Sequence, residues 1–192
     1  MKLLPPDTRE RIELAARWLA RKENYQWLDF GNGRQVLTPA LIEIAVQRDT
    51  NLIRLYAAGA DDTPVGIVGL SNVERSFKTA RLWGVAGEKS AAEAAWMGLA
   101  WSSMLNLAFA ELGLHAVHTW VVEGNPLLRT VQALNFRFIG RQRQCHCIDG
   151  RPYDRLLFDL LAGEHRKVEG RRSEQAARPS ARRPAVRGLG AR

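Results

Sequence analysis

The sequence predicts one α+β domain, and three observations carry that prediction. Helical apolar spacing marks the front of the chain and one long segment near its middle. Apolar runs of strand length fill much of residues 52–86, and a strand, helix and hairpin close the pattern from residue 115 onward. Helices first, a meander next and a late strand–helix–strand unit describe a sheet packed on helices.

Each element has a local cause. Asp7-Thr-Arg-Glu10 has the spacing of an N-cap with an acid at N3, opening a helix through about Lys22. Ile12, Leu14, Ala15, Trp18 and Leu19 fall on one face of it. Asn24 to Arg34 is aromatic, then turn-like. Thr38-Pro39 supplies an N-cap followed by Pro at N1, which starts a second helix over Ala40–Arg48. Leu52–Ala58 and Val65–Leu70 read as strands around a turn at Ala60–Pro64, and Thr79–Ala86 as a third. A long helix runs from about Ala91 to Leu112 and stops at Gly113. The strand His115–Val122 follows, then a helix over Pro126–Leu134. Phe136–Ile148 and Tyr153–Leu161 form a hairpin about Asp149-Gly150.

Composition excludes several classes. With 192 residues and 46% apolar content, the chain can build one core of ordinary size. No apolar run approaches the ~20 residues that cross a bilayer, and Met1-Lys-Leu-Leu-Pro-Pro-Asp7 lacks the apolar region of a secretory signal. Cys145 and Cys147 stand two apart on one strand, a separation that disfavours a disulfide; a cytoplasmic protein without membrane contact is expected. Alternate strand residues face opposite sides, so Cys145-His146-Cys147 is not read as a metal site and no metal is expected. The net charge is +8, yet residues 163–192 hold nine Arg or Lys against three Glu. Residues 165–192 are therefore read as a basic, disordered tail after a domain spanning 1–164. Contact with nucleic acid or the ribosome through that tail is the less favoured partner reading.

The order of signals from Phe109 to Glu164 is the most specific part of the chain. Phe109-Ala-Glu-Leu-Gly-Leu114 ends a helix, the apolar strand around Val117–Val122 follows, and Glu123-Gly-Asn125-Pro leads to Asn135-Phe136. Gly140-Arg-Gln-Arg143, the Asp149-Gly150 turn and Asp154, read as a structural acid, come after. This order resembles the GNAT superfamily of acyl-CoA-dependent N-acyltransferases, and most of all its ribosomal-protein N-acetyltransferase branch. Pro64-Val-Gly66-Ile-Val-Gly69-Leu70 is similar to a strand of that branch, and Trp18-Leu19 and Trp27-Leu28 to its N-terminal helices. The resemblance implies a mixed central sheet, flanked by helices and splayed between two central strands, here Thr79–Ala86 and His115–Val122. It also implies acetyl-CoA as cosubstrate, an amine acceptor and a monomer or homodimer.

Site residues follow from the same resemblance. The pantetheine arm would lie between the splayed strands, with Asn125 along it and backbone N–H groups of Val85 and Ala86 polarising the thioester carbonyl. The family's R/Q-x-x-G-x-G/A pyrophosphate loop falls, by spacing from Phe109, on Ser90, Ala91, Ala92, Glu93, Ala94 and Ala95, of which Ala95 alone conforms. Lys89 supplies a cation beside Glu93. The literal match Arg81-Leu-Trp-Gly84-Val-Ala86 lies inside a strand, about nine residues out of place, and is read as chance. Positions that carry a base or acid in relatives hold Trp120, Leu128 and Val131 instead. Glu74, His118 and Glu123 remain as catalytic candidates, with a solvated loop acid, a hydrogen-bonded core histidine and a solvated strand end as their structural alternatives. Of the tryptophans, Trp83, Trp96, Trp101 and Trp120 surround the expected cleft, with core packing the default role. The implied function is acyl transfer from acyl-CoA to a primary amine of a small molecule or protein N-terminus. The alternatives are a degenerate module of the same fold that binds an acyl thioester or partner, and a ribosome or nucleic-acid accessory protein.

Overall fold

The computed structural model describes residues 1–31, 33, 35–58, 62–87 and 91–166, without the side chains of 91–94. Lys89 and Ser90, and the tail after residue 166, lie outside the described residues.

Helix α1 (Arg9–Leu19) is capped by Thr8, whose Oγ1 accepts from the Arg11 N–H at 3.3 Å, and not by Asp7. Asp7 pairs with the Arg11 guanidinium at 2.7 Å instead. The helix also ends before Lys22. The Asn24 side-chain amide takes the Trp18 carbonyl at 2.8 Å, which a continuing helix would have offered to residue 22. The chain restarts as a single turn, α2 (Lys22–Tyr25). Thr38 caps α3 (Pro39–Val46) through the Leu41 N–H, as Thr38-Pro39 predicts.

Among the described residues seven strands form one sheet: β1 (Lys2–Leu4), β2 (Leu52–Ala57), β3 (Pro64–Glu74), β4 (Thr79–Ala86), β5 (Ala116–Val122), β6 (Arg137–Ile148) and β7 (Arg151–Leu161). Their order is β1-β2-β3-β4-β5-β7-β6, with the β4–β5 pair parallel and the others antiparallel. Strand β1 was not expected; three residues carry no readable alternation. Strand β3 runs to Glu74, beyond the expected Leu70, because a bulge with Asn72 at φ 52° lets pairing resume at Glu74 and Thr79. Helix α4 (Ala91–Asn106) gives way to a π-helical turn over Leu107–Glu111, where the Leu112 N–H reaches the Leu107 carbonyl at 3.0 Å. Gly113, at φ 63°, ends it. Asn135 follows α5 (Leu127–Ala133) at φ 63°, and Asp149 and Gly150 both adopt positive φ in the β6–β7 turn.

The core lies on both faces of the sheet. Val68, Leu70, Leu82, Val117 and Leu160 pack against Trp101, Met104 and Leu105 of α4 and Val131 of α5. On the other face Ile53, Ile67, Trp83 and Val85 pack against Ala15 and Leu19 of α1 and Ile42 of α3. No helix among the described residues is long and apolar enough to cross a membrane.

Candidate active site

The site is a break in the sheet. Strands β4 and β5 pair at three positions, Thr79–Ala116, Ala80–Val117 and Arg81–His118, and separate beyond them. Strand β4 stays paired with β3 as far as Ala86, so one of its edges is open over Leu82–Ala86. Alternation decides which groups face the opening. The Gly87 N–H donates to the Val65 carbonyl at 2.8 Å, so Gly87, Val85 and Trp83 address β3, while Ala86, Gly84 and Leu82 address the gap. Two side chains use part of that edge. The Thr119 hydroxyl donates to the Leu82 carbonyl at 2.8 Å, closing the fork, and the Asn24 amide donates to the Ala86 carbonyl at 3.2 Å. The backbone of Gly84 and the N–H of Ala86 are left facing the gap.

The opening holds a cavity of about 290 Å³ that passes through the sheet. On the α4–α5 side it is lined by Met97, Asn125, Pro126, Leu127 and Thr130, and on the other by Glu23, Trp27, Asp29, Phe30, Trp83 and Trp120. Gly84 sits between. A Cβ there would come within 2.8 Å of Trp101 Nε1 and 3.0 Å of the Ile67 carbonyl oxygen, so glycine lets the buried indole pack against β4 at this point. Asn125 shapes the strand end: its Oδ1 accepts from the Leu127 N–H at 2.9 Å and starts α5, while its own N–H donates to the Val122 carbonyl at 3.0 Å.

The wall facing α1 and α2 is tied to the β6–β7 hairpin at three points. Lys22 Nζ pairs with Asp149 at 2.7 Å, the Gln26 carbonyl accepts from His146 Nε2 at 2.7 Å, and Asp29 pairs with Arg155 at 2.9 Å. Arg155 also donates to His146 Nδ1, at 3.0 Å from Nη2, which fixes the neutral Nε2–H tautomer of that ring. Burial is the main force holding the His146 pKa below the usual histidine value, with the Arg155 charge acting in the same sense. Burial pushes the Asp29 carboxyl up, but hydrogen bonds from Arg155 and the Gly31 N–H, with the Arg155 and Arg81 charges, leave it lower than usual. Beneath them lies Trp120, with Arg155 Cζ 4.2 Å and Arg81 Cζ 5.7 Å from its ring centroid. Phe30 meets Trp83 edge-on at 5.0 Å.

The residues expected from sequence are placed unequally. Val85, Ala86 and Asn125 line the cavity, and of the first two it is the Ala86 N–H that faces the gap. Ala91, Ala92, Glu93 and Ala94 open the backbone of α4, and Ala95 is exposed on it. Glu74 is exposed at the β3–β4 turn, where its Oε1 accepts from the Ser76 N–H at 3.0 Å; it does not line the cavity. His118 stands beside Arg81 and opposite Asp159 on the sheet, outside the lining, its pKa lowered by burial and by Arg81. Glu123 is exposed at the end of β5, 3.8 Å from Arg141. Asp154 accepts from the Gln144 N–H and from Arg141, both at 2.8 Å, which pins a bulge in β6. Cys145 and Cys147 are exposed while His146 is buried on the opposite face. Trp83 and Trp120 line the cavity, whereas Trp101 belongs to the core.

Sequence reasoning passed over Asn24, Asp29 and Arg155, and met Arg81 only as part of a motif match read as chance. The signal for Arg81 was present, since it is the one charge inside Thr79–Ala86, a run otherwise fit for a buried strand; Arg155 shares Tyr153–Leu161 with Asp154 and Asp159 and does not stand out there.

No protein family's sequence profile matches the chain, and neither does any curated protein sequence. Solved structures do. The spermidine N-acetyltransferase of Vibrio cholerae in complex with CoA and spermine is 13% identical, with a TM-score of 0.71 over 85% of this chain and 96% of that one. A chimera of that enzyme with the human spermidine/spermine enzyme is 14% identical, with a TM-score of 0.70 over 84% and 95%. The chain thus has the fold of the GNAT N-acetyltransferases, with the sheet split where the sequence resemblance puts it.

Proposed function

We propose that the protein is an acyl-CoA-dependent N-acyltransferase that moves an acetyl or other acyl group to a primary amine of a small molecule. The observation that supports this reading is the open edge of β4, where Gly84 and the Ala86 N–H face a cavity running through the sheet. An extended arm containing amide groups can pair with such an edge as an added strand does. The fold and cavity fit acyl-CoA as a substrate. From the sequence, Lys89, Ser90 and the Ala91–Ala95 segment are proposed to meet its pyrophosphate, and Asn125 to flank its arm.

The chemistry needs little else. The neutral amine nitrogen attacks the thioester carbonyl carbon; the C–N bond forms as the carbonyl electron pair moves to oxygen. N–H groups of the Gly84–Ala86 edge stabilise that oxyanion. Collapse breaks the C–S bond, the thiolate leaves, and the proton shed by nitrogen ends on sulfur. Glu23, a cleft-mouth carboxylate without an ion pair among the described residues, is the group placed to relay it. Transfer is direct: neither Cys nor Ser lines the cavity among the described residues, and the Thr119 hydroxyl is engaged with Leu82. Holding amine and thioester together then supplies most of the acceleration.

A protein N-terminus is the second acceptor class, favoured by the resemblance to the ribosomal-protein branch over Phe109–Glu164. Trp120, Leu128 and Val131, where relatives carry a base or acid, favour the third reading, a module that binds without catalysis. We place the acyltransferase unit in residues 1–164 and its location in the cytoplasm, in keeping with two free, exposed cysteines.

Acetyl-CoA at a hundred times its Kd stabilises by about 2.7 kcal/mol, which for a domain of this size raises Tm by about 5–10 °C. No shift with millimolar acetyl-CoA or longer acyl-CoAs would sink both the enzyme and the acyl-thioester-binding readings. Thiol release with small amines or N-terminal peptides selects among the rest. Binding with no release on either panel identifies the non-catalytic module.

A further inference from the structure

We propose that the amine acceptor carries an anionic group, a carboxylate or a phosphate, held by the Arg81 guanidinium at the fork of the split. This deepens the acyltransferase reading and rests on it. Arg81 is the last residue of β4 to pair with β5, and its side chain projects on the Trp83 and Val85 face, toward the wall built by residues 23–30. It lines both the main cavity and an adjoining one of about 160 Å³ beneath α3, which shares Phe30, Arg81 and Trp83 with it. Two neutral contacts fix the guanidinium. Its Nε donates to Ser71 Oγ at 3.0 Å, and Cζ sits 5.7 Å from the Trp120 ring centroid.

What Arg81 lacks is a carboxylate in contact; Asp29 acts on it only from a distance. Asp29 is committed to Arg155 at 2.9 Å and to the Gly31 N–H at 2.8 Å. His118, beside Arg81, is held toward its neutral form by burial and by Arg81 itself, and His146 likewise favours the neutral form. Asp159 faces His118 across β5 and β7, and Glu23 is exposed at the mouth. Among the described residues no carboxylate lies within 4.0 Å of Arg81, although Arg155, stacked on the same indole, has one. A half-buried cation without a partner is costly, and folded proteins otherwise pair such charges. The Nη donors of Arg81 offer the planar fork that carboxylates and phosphates accept. The same charge, with no carboxylate in contact, repels a polycation, so the acceptor differs from the spermine named for the Vibrio cholerae enzyme. Arg81 and Gly84 are three residues apart, about 10 Å along the strand, a gap that the Arg81 side chain and a short acceptor span together.

The test uses the full-length protein, acetyl-CoA and amines that differ in one terminal group: γ-aminobutyrate, aminobutanol and putrescine, with phosphoethanolamine against ethanolamine. At least one anionic member is expected to exceed its neutral counterpart in kcat/KM by about 10- to 100-fold, with putrescine lowest; the two anionic arms separate carboxylate from phosphate. Arg81→Gln should raise KM for that anionic acceptor by a similar factor while the acetyl-CoA Kd changes by less than about twofold, and Arg81→Lys should restore part of the loss. Preference for putrescine or for the alcohols, with acetyl-CoA still bound, overturns the proposal and leaves the acyltransferase reading standing. An equal effect of Arg81→Gln on anionic and neutral acceptors also overturns it. Failure of the wild-type protein to bind acetyl-CoA overturns both. If Arg81→Gln does not fold, the preference of the wild-type protein within the matched set decides.

Discussion

Replacing Gly84 by alanine adds one methyl group to the open edge of β4, at a point with no room for it. The new Cβ would lie 2.8 Å from Trp101 Nε1, 3.0 Å from the Ile67 carbonyl oxygen and 3.3 Å from the Met97 sulfur. The Ile67 oxygen belongs to the β3 backbone paired with β4, so Trp101 must yield. Trp101 is fully buried and packs edge-on against Phe136 at 6.2 Å. Overpacking of this kind costs about 1–3 kcal/mol, and at 2–4 °C per kcal/mol Tm should fall by about 2–12 °C. Trp101→Leu alone removes the indole and its N–H, which has no partner among the described residues. Its cost, about 2–5 kcal/mol, is lost apolar burial and the cavity left behind. In the double variant the alanine methyl enters part of the space the indole vacates. The two effects should then fail to add by about 1–2 kcal/mol, the double variant being the more stable than their sum. Urea unfolding of the wild-type protein, both single variants and the double variant completes the cycle. Additivity within about 0.5 kcal/mol would refute the claim that the Gly84–Trp101 contact is what excludes a side chain here.

Thr119→Val keeps the shape of the side chain at the fork but strips the Leu82 carbonyl of its donor; urea unfolding should show a loss of about 1–3 kcal/mol, with Thr119→Ser nearer to wild type. Arg155→Met leaves Asp29 and His146 Nδ1 without their shared partner, at a cost of about 3 kcal/mol, and limited proteolysis should then cut more readily between residues 22 and 31. Stability should be level at neutral pH and above, then fall as pH drops below about 6.5. Burial depresses His118, His146 and His165 in the folded state, so the unfolded chain binds more protons through that window. A second fall should follow below about pH 4, as Asp29 and Asp154, whose folded pKa values are lowered, take up protons. Urea midpoints measured from pH 8 downward that rise on acidification would contradict both assignments.

Much of this architecture could be read from residue patterns. The Thr38-Pro39 start, the left-handed Asn135, the Asp149-Gly150 turn and the two strands flanking the split all rest on local signals, which act over a few residues. The interruption after Leu19 could not be read that way, because the helical pattern continues and only the folded position of Asn24, bonded to both Trp18 and Ala86, ends it. The wall of the cleft was hidden for a similar reason. Asp29, His146 and Arg155 are far apart in sequence, and their meeting depends on the β6 bulge that Asp154 secures. Glu74 shows the converse: it stands before the right strand, yet its carboxylate serves the β3–β4 turn.

The alternation along β4 should also be visible as a comb in amide hydrogen exchange. Trp83, Val85 and Gly87 turn their amides into β3 and should be slow, while Gly84 and Ala86, one residue away on either side, should exchange orders of magnitude faster. An arm that pairs with the open edge would erase the comb, slowing the even residues and leaving the odd ones unchanged. Because β4 and β5 pair at only three positions among the described residues, an arm lying along the open edge would act as a stitch that extends the seam between β1–β4 and β5–β7–β6.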